Sequence, residues 1–147
     1  MYKVEEIASK IIQRSADDAN SGGELITNLK LQKLLYYHQG FHLALFGKPL
    51  FEEQIEAWTY GPVVPSIYFK YQEYGNNVIN IEGITPVELD PQEELLFNEV
   101  MRVYGAYSAI GLMHMTHNEF PWISTRIGKG SVIEVEKMQQ YFKTKLK

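Results

Sequence analysis

The sequence predicts a mainly α-helical fold: one compact domain, residues 1–147, of five or six helices with a small two- or three-stranded β element. Three observations carry this expectation. Apolar residues recur at i, i+3, i+4, i+7 over several long stretches. Residues that start and stop helices bracket those stretches. Only short segments alternate as strands do. A chain of 147 residues fits one domain, and such a domain buries about 70% of the surface of its extended chain without covalent staples.

Residues 2–16 read as an amphipathic helix, with Val4, Ile7, Ala8, Ile11, Ile12 and Ser15 on one stripe. DDANSGGE (17–24) ends it, because Asp, Asn and Gly favour turns. The longest helix spans about 26–46, with Leu31, Leu34, Leu35, His38, Phe41, His42 and Leu45 as its stripe and Thr27 or Asn28 as its cap. Gly47 and Pro49 stop it. Gly40 inside it costs about 1 kcal/mol relative to Ala, which predicts a close crossing by another helix. QIEAWT (54–59) reads as a short strand and Gly61-Pro62 as a break. From Val64 or Pro65 to Tyr74 a helix restarts, with Pro in its first turn, an aromatic stripe of Ile67, Tyr68, Tyr71 and Tyr74, and Gly75 after its end. NNVINIEGI (76–84) is a second short strand or a loop.

Asp90, Pro91 and Glu93 form a helix start with a capping box. That helix runs to about Tyr104, with Leu96, Val100 and Val103 inward. Ser108 caps a helix over 109–116, which Asn118 and Pro121 end. Ser131 and Glu134 form a second capping box before a helix over 132–145, with Val135, Met138, Tyr141 and Phe142 facing the core.

Composition excludes several function classes. There is no Cys, so disulfides, thiol nucleophiles, iron–sulfur clusters and Cys-type zinc sites are out. No run of about 18 apolar residues is present, so no membrane span is expected. The acidic start, MYKVEEIASK, is not a secretory signal, and the cytoplasm is the expected compartment. The net charge is −4. Between Tyr71 and Met101 seven acids occur without one Lys or Arg, a surface that repels phosphate. From Arg126 to Lys147 six basic residues face two acids, which reads as a solvated helix face favoured by the helix dipole.

The histidines come in two pairs, His38 with His42 and His114 with His117. Both spacings place two imidazoles on one helix face, so a metal-dependent hydrolase is one alternative reading. Neither pair has the acid of a metalloprotease helix, and His117-Asn118-Glu119 lacks the Cys ligands that zinc deaminases need. Structural or exposed roles for the four are the simpler reading. No G-x-S-x-G or phosphate loop is present. GKGS (128–131) before a helix is a weak anion site. Adjacent acids such as Glu52–Glu53 and Glu93–Glu94 do not face each other on a helix. A DNA-binding regulator is the other alternative, with Lys30, Gln32 and Lys33 leading a recognition helix. The acidic chain and the apolar remainder of that helix argue against nucleic acid as a partner.

The remaining signal is aromatic. Ten Tyr, seven Phe and two Trp are many for this length, and the stretch EAWTYGPVVPSIYFKY (56–71) has no charge between Glu56 and Lys70. Tyr and Trp combine large contact area with a polar handle, which suits both cores and interfaces.

Three segments taken together carry a resemblance: LQKLLYY (31–37), AWTYGPVVPSIY (57–68) and THNEFPW (116–122). In this order they resemble the Panacea antitoxin domain family, which includes SocA-like and phage-associated GepA-type proteins. The resemblance implies a non-enzymatic antitoxin without metal or cofactor, neutralising a cognate protein toxin by direct binding. One branch of the family instead delivers its toxin to the ClpXP protease. The implied partner-binding residues are Gln32, Tyr36, Tyr37, Tyr60, Tyr68 and Tyr71. The implied structural residues are Leu31, Leu34, Leu35, Trp58, Gly61, Pro62, Pro65, His117, Glu119, Pro121 and Trp122. Among these, Pro62 and Pro65 are expected to set the start of the following helix, Pro121-Trp122 to pack on the first two segments, and His117 with Glu119 to bond locally.

Overall fold

The computed structural model describes residues 1–20, 25–81 and 85–146. The last four residues of the expected 17–24 turn and residues 82–84 of the expected second strand lie outside them. The architecture is mainly helical with one small antiparallel sheet, as the periodicity predicts. Helix α1 spans Val4–Ala19, α2 Asn28–Phe46, α3 Pro65–Lys70, α4 Pro91–Tyr104, α5 Ala109–Thr116, α6 Phe120–Ile123 and α7 Val135–Lys143. Strands β1, Glu56–Trp58, and β2, Gly61–Val63, form the sheet.

The fold is organised around α2. Thr27 caps it by accepting a hydrogen bond from Lys30 N, and Gly47 ends it in the left-handed conformation at φ 73°. Helices α1, α4, α5 and α7 all pack on it, and every residue from 31 to 44 is buried. The expected apolar stripe is therefore only part of its covered surface. Leu45, expected inward, is 51% exposed, one residue before the helix ends at Phe46.

Polar side chains on α2 consequently meet protein rather than water. Gln39 clamps the segment after the helix: Nε2 donates to Phe51 O at 2.9 Å and Oε1 accepts from Leu50 N at 2.8 Å. His42 lies between Lys48 O, 2.6 Å from Nδ1, and Glu93 Oε2, 2.5 Å from Nε2. Glu93 also accepts from Tyr2 Oη at 2.7 Å. Burial would raise its carboxyl, but the bonds from His42 and Tyr2 outweigh this and hold it below the ordinary carboxylate range. The capping box expected at Glu93 is thus replaced by a tertiary tie, and Asp90 makes no side-chain cap. Of the expected inward residues of α4, Val100 is buried, together with Phe97, Met101 and the tied Glu93; Leu96 and Val103 are half-buried at the edge of that face.

Other boundaries also differ. The helix expected to reach Tyr74 stops at Lys70 and continues as a short 3-10 turn, Gln72–Tyr74. Pro121 lies in the first turn of α6, an additional single turn, where only a helix end was expected. The second capping box does not form. Residues 132–133 run extended beside β1: Glu56 bridges Val132, and Ile133 N donates to Ile55 O at 2.8 Å. Helix α7 therefore begins three residues late, and Val135 is exposed. GKGS accordingly precedes a bridge and no helix N-terminus.

Gly40 faces the α7 side chain Phe142, where a Cβ would lie 2.1 Å from Phe142 Cε2. The close approach is by a ring and not by backbone. Phe142 in turn meets Tyr36 and Phe41 edge-on, with centroids at 5.3 and 4.8 Å. Gly40→Ala raises helix propensity by about 1 kcal/mol, yet moving a core ring costs about 1–3 kcal/mol. We expect a lower urea midpoint for the variant. An unchanged or higher midpoint would show that the ring has room to move.

Candidate functional site

The three aromatic-rich segments converge in space, and their side chains join them. From the first, Gln32 Oε1 accepts from Val64 N at 2.9 Å, and Lys33 Nζ donates to Pro62 O at 3.1 Å. Both partners lie in the second segment. Tyr36 and Tyr37 donate to the two carboxylate oxygens of Glu119 in the third, each at 2.9 Å. The third returns to the second through Trp122 Nε1, which donates to Trp58 O at 2.9 Å.

Gly61 sits where these ties cross. Thr59 and Tyr60 turn the β1–β2 hairpin without positive φ, and Gly61 carries it, at φ 111°. A Cβ there would also fall 2.6 Å from Lys33 Cε and 2.8 Å from Thr116 Oγ1. Only glycine meets both demands.

Glu119 is buried, and burial raises its carboxyl above the ordinary value although the phenol bonds pull the other way. Burial first, and the Glu119 charge second, push the Tyr36 and Tyr37 hydroxyls well above theirs. Tyr37 stacks on Tyr104 at 4.2 Å, whose hydroxyl is pushed up to about 12, chiefly by burial. The local His117–Glu119 bond is not formed. His117 instead stacks on Trp122 at 4.2 Å, because Glu119 points inward to the two phenols.

Lys33 is 0% exposed and makes no ion pair with any described residue. Burial alone lowers its pKa to about 7.

Above this framework lies a cavity of about 730 Å³. Trp58, Tyr60, Tyr68 and Phe69 contribute aromatic walls, with Ile110 and Met113 from α5 opposite. Trp58 meets Tyr68 edge-on at 5.1 Å. Lys129 Nζ lies 5.8 Å from the Trp58 ring centre and 5.7 Å from that of Phe69. Asn28 secures Tyr68 by donating to its carbonyl at 3.1 Å, and Gln32 Nε2 donates to Asn28 Oδ1 at 3.0 Å.

The expected site residues divide accordingly. Tyr60 is 66% exposed and Tyr68 half-buried. Gln32, Tyr36, Tyr37 and Tyr71 are interior, so this conformation leaves them no direct surface contact. The reason is the central position of α2, which covers both faces bearing the tandem tyrosines, and the packing of Tyr71 into the same core. Leu31, Leu34, Leu35, Gly61, Pro62 and Pro121 are buried; Trp58, Pro65, His117 and Trp122 are half-buried. Phe69, Ile110 and Met113 were not among the expected site residues, and Lys129 was noted only within GKGS, a weak anion site expected before a helix. Phe69 belongs to the uncharged stretch, and GKGS carried a weak anion signal, but no local pattern links the two segments.

The histidine pairs do not form one centre. His38 is buried against Phe97 and Met101, His42 is engaged by Lys48 and Glu93, and His114 is exposed. No group of three His, Asp or Glu among the described residues is placed to hold a metal ion. A DNA-reading role for the start of α2 meets the same obstacle as its tyrosines: Gln32 and Lys33 are interior, and Lys30 Nζ donates to Gly105 O at 2.7 Å. No helix among the described residues is long and apolar enough to cross a membrane.

Fold and site together define a small helical domain whose three signature segments are bonded to one another beneath an aromatic pocket. The chain belongs to the family described as Antitoxin SocA-like, Panacea domain, whose model matches residues 31–123. It is similar to Antitoxin SocA of Caulobacter vibrioides (strain NA1000 / CB15N), with 32% identity over 118 residues. That match covers 72% of this chain and 63% of the relative, so the chain spans less than two thirds of the relative's length. No solved structure matches.

Two expectations follow from the framework. Glu119→Ala strands two buried hydroxyls, each worth about 1–3 kcal/mol, and should lower the unfolding free energy by about 2–5 kcal/mol in urea. Glu119→Gln should cost less, since an amide can accept from one phenol and donate to the other. Equal losses would show that the phenol bonds are not the source.

The second concerns Lys33. Unfolded, its amine holds a proton up to about pH 10.4; folded, it releases it near 7. Between those values the unfolded chain binds more protons, so stability rises with pH. Denaturation at pH 7 to 9.5 should show that rise, and Lys33→Met should flatten it. The range stops there because the raised tyrosine hydroxyls reverse the trend above pH 10. Equal slopes in the two proteins would mean that the buried amine stays charged.

Proposed function

We propose that this protein is a non-enzymatic antitoxin of a bacterial or prophage toxin–antitoxin pair, acting in the cytoplasm by direct contact with a protein toxin. Family membership supports the antitoxin role. The observation that carries the contact is the aromatic rim. Tyr60 and Phe69 are 66% and 49% exposed, on a hairpin and helix fixed from beneath by Lys33, Gln32 and Asn28. Large rings held rigidly at a surface lose little entropy on binding and commonly dominate interface energetics. Delivery of the toxin to ClpXP, the role of one family branch, is a finer form of the same reading. Antitoxin SocA, to which this chain is similar, shares its name with that branch.

Co-expression with the product of the adjacent gene is the test. That product alone should arrest growth, and this protein should restore it. Tyr60→Ala should weaken the complex by about 1–3 kcal/mol, roughly 5- to 150-fold in Kd, with an unchanged urea midpoint. The half-life of the toxin with and without ClpX separates masking from proteolytic delivery. Absence of both toxicity and rescue would overturn the proposal.

A further inference from the structure

We infer that the pocket receives an acidic side chain flanked by an apolar one, presented by a segment of the toxin; this rests on the antitoxin reading above. The argument is one of charge and shape. The chain carries 18 acids against 14 basic residues, yet the pocket lining contains two lysines and no Asp or Glu. Glu56, beside Trp58 on the hairpin, is not in the lining; its Oε1 accepts from Trp58 Nε1 at 2.9 Å and Gly130 N at 2.7 Å.

The two lysines sit at different depths. Lys129 is exposed, lies over two rings at the mouth and pairs with no acid among the described residues. Lys33 lies beneath the floor, also without a counter-ion. A carboxylate arriving at the mouth therefore meets a cation held in place by aromatic faces, and no like charge in the lining opposes it. Between the two lysines the walls are rings and the side chains of Val63, Ile110 and Met113. That is the environment of an apolar side chain. The volume, about 730 Å³, lies within the range of roughly 300–1,000 Å³ typical of ligand sites. A basic segment would be repelled at the mouth, and a purely apolar one would leave Lys129 unanswered.

The test uses the whole protein and two peptides that differ by one group, acetyl-Ala-Phe-Asp-Ala-amide and its Asn counterpart. In a two-dimensional NMR titration the Asp peptide should shift the Trp58 indole N–H and the Gly128 and Lys129 amides. It should bind at least five-fold more tightly than the Asn peptide. Lys129→Gln should abolish that gap, and Phe69→Ala should weaken both peptides alike. Equal affinity for the two peptides, a gap that survives Lys129→Gln, or no shifts at these residues would each overturn the inference. No toxin enters the titration, so its failure leaves the antitoxin reading standing. Failure of co-expression rescue removes that reading and the toxin as occupant.

Discussion

A helix buried on every side cannot leave a polar side chain without a partner, and α2 carries Gln32, Lys33, Tyr36, Tyr37, His38, Gln39 and His42 in its covered length. An unsatisfied buried polar group costs about 1–3 kcal/mol, so several at once would consume the stability of a domain this size. The rest of the chain supplies the partners. Val64 N answers Gln32, Pro62 O answers Lys33, Glu119 answers both tyrosines, Phe51 and Leu50 answer Gln39, and Glu93 with Lys48 answers His42. The hairpin, α4 and the α5–α6 turn are thus each placed by a bond to the same helix.

This explains which features were legible in the sequence. Helix existence was readable, because the apolar periodicity of α1 and α2 and the caps at Thr27 and Ser108 are local signals. The cap read as Thr27 or Asn28 forms at Thr27, and Ser108 caps as read. The capping boxes at Glu93 and Ser131 were not safe inferences, since a residue with a cap's chemistry takes a tertiary partner when one is nearer. Glu93 goes to His42 and Tyr2, and the segment after Ser131 goes to the edge of β1. The hairpin was half legible: QIEAWT suggested a strand, but Gly61-Pro62 looked like a break and is its partner strand.

The site was less legible than the fold, for a related reason. Tandem tyrosines suggest a surface when the helix bearing them is assumed to have an outer face. Nothing local shows that α2 has none. The pocket itself joins residues from five places in the chain, from Asn28 to Lys129, and such a set is assembled only by tertiary packing. Its rigidity nonetheless traces largely to the signature residues, with Asn28 just before the first segment. Lys33 and Gln32 pin the hairpin, Asn28 pins Tyr68, and Trp122 pins Trp58, so the rings at the surface stand on a hydrogen-bonded base.

The inward orientation of the signature carries a consequence for kinship. Two chains can share the tyrosine pair, the Gly-Pro and the Glu-x-Pro-Trp because both need the same interior wiring, while outward positions beyond those segments, such as Phe69, Ile110 and Lys129, take no part in it. Membership of the group then certifies a chassis and says nothing of its client. A change of a few outward side chains would redirect such a molecule to a new adversary with its scaffold untouched.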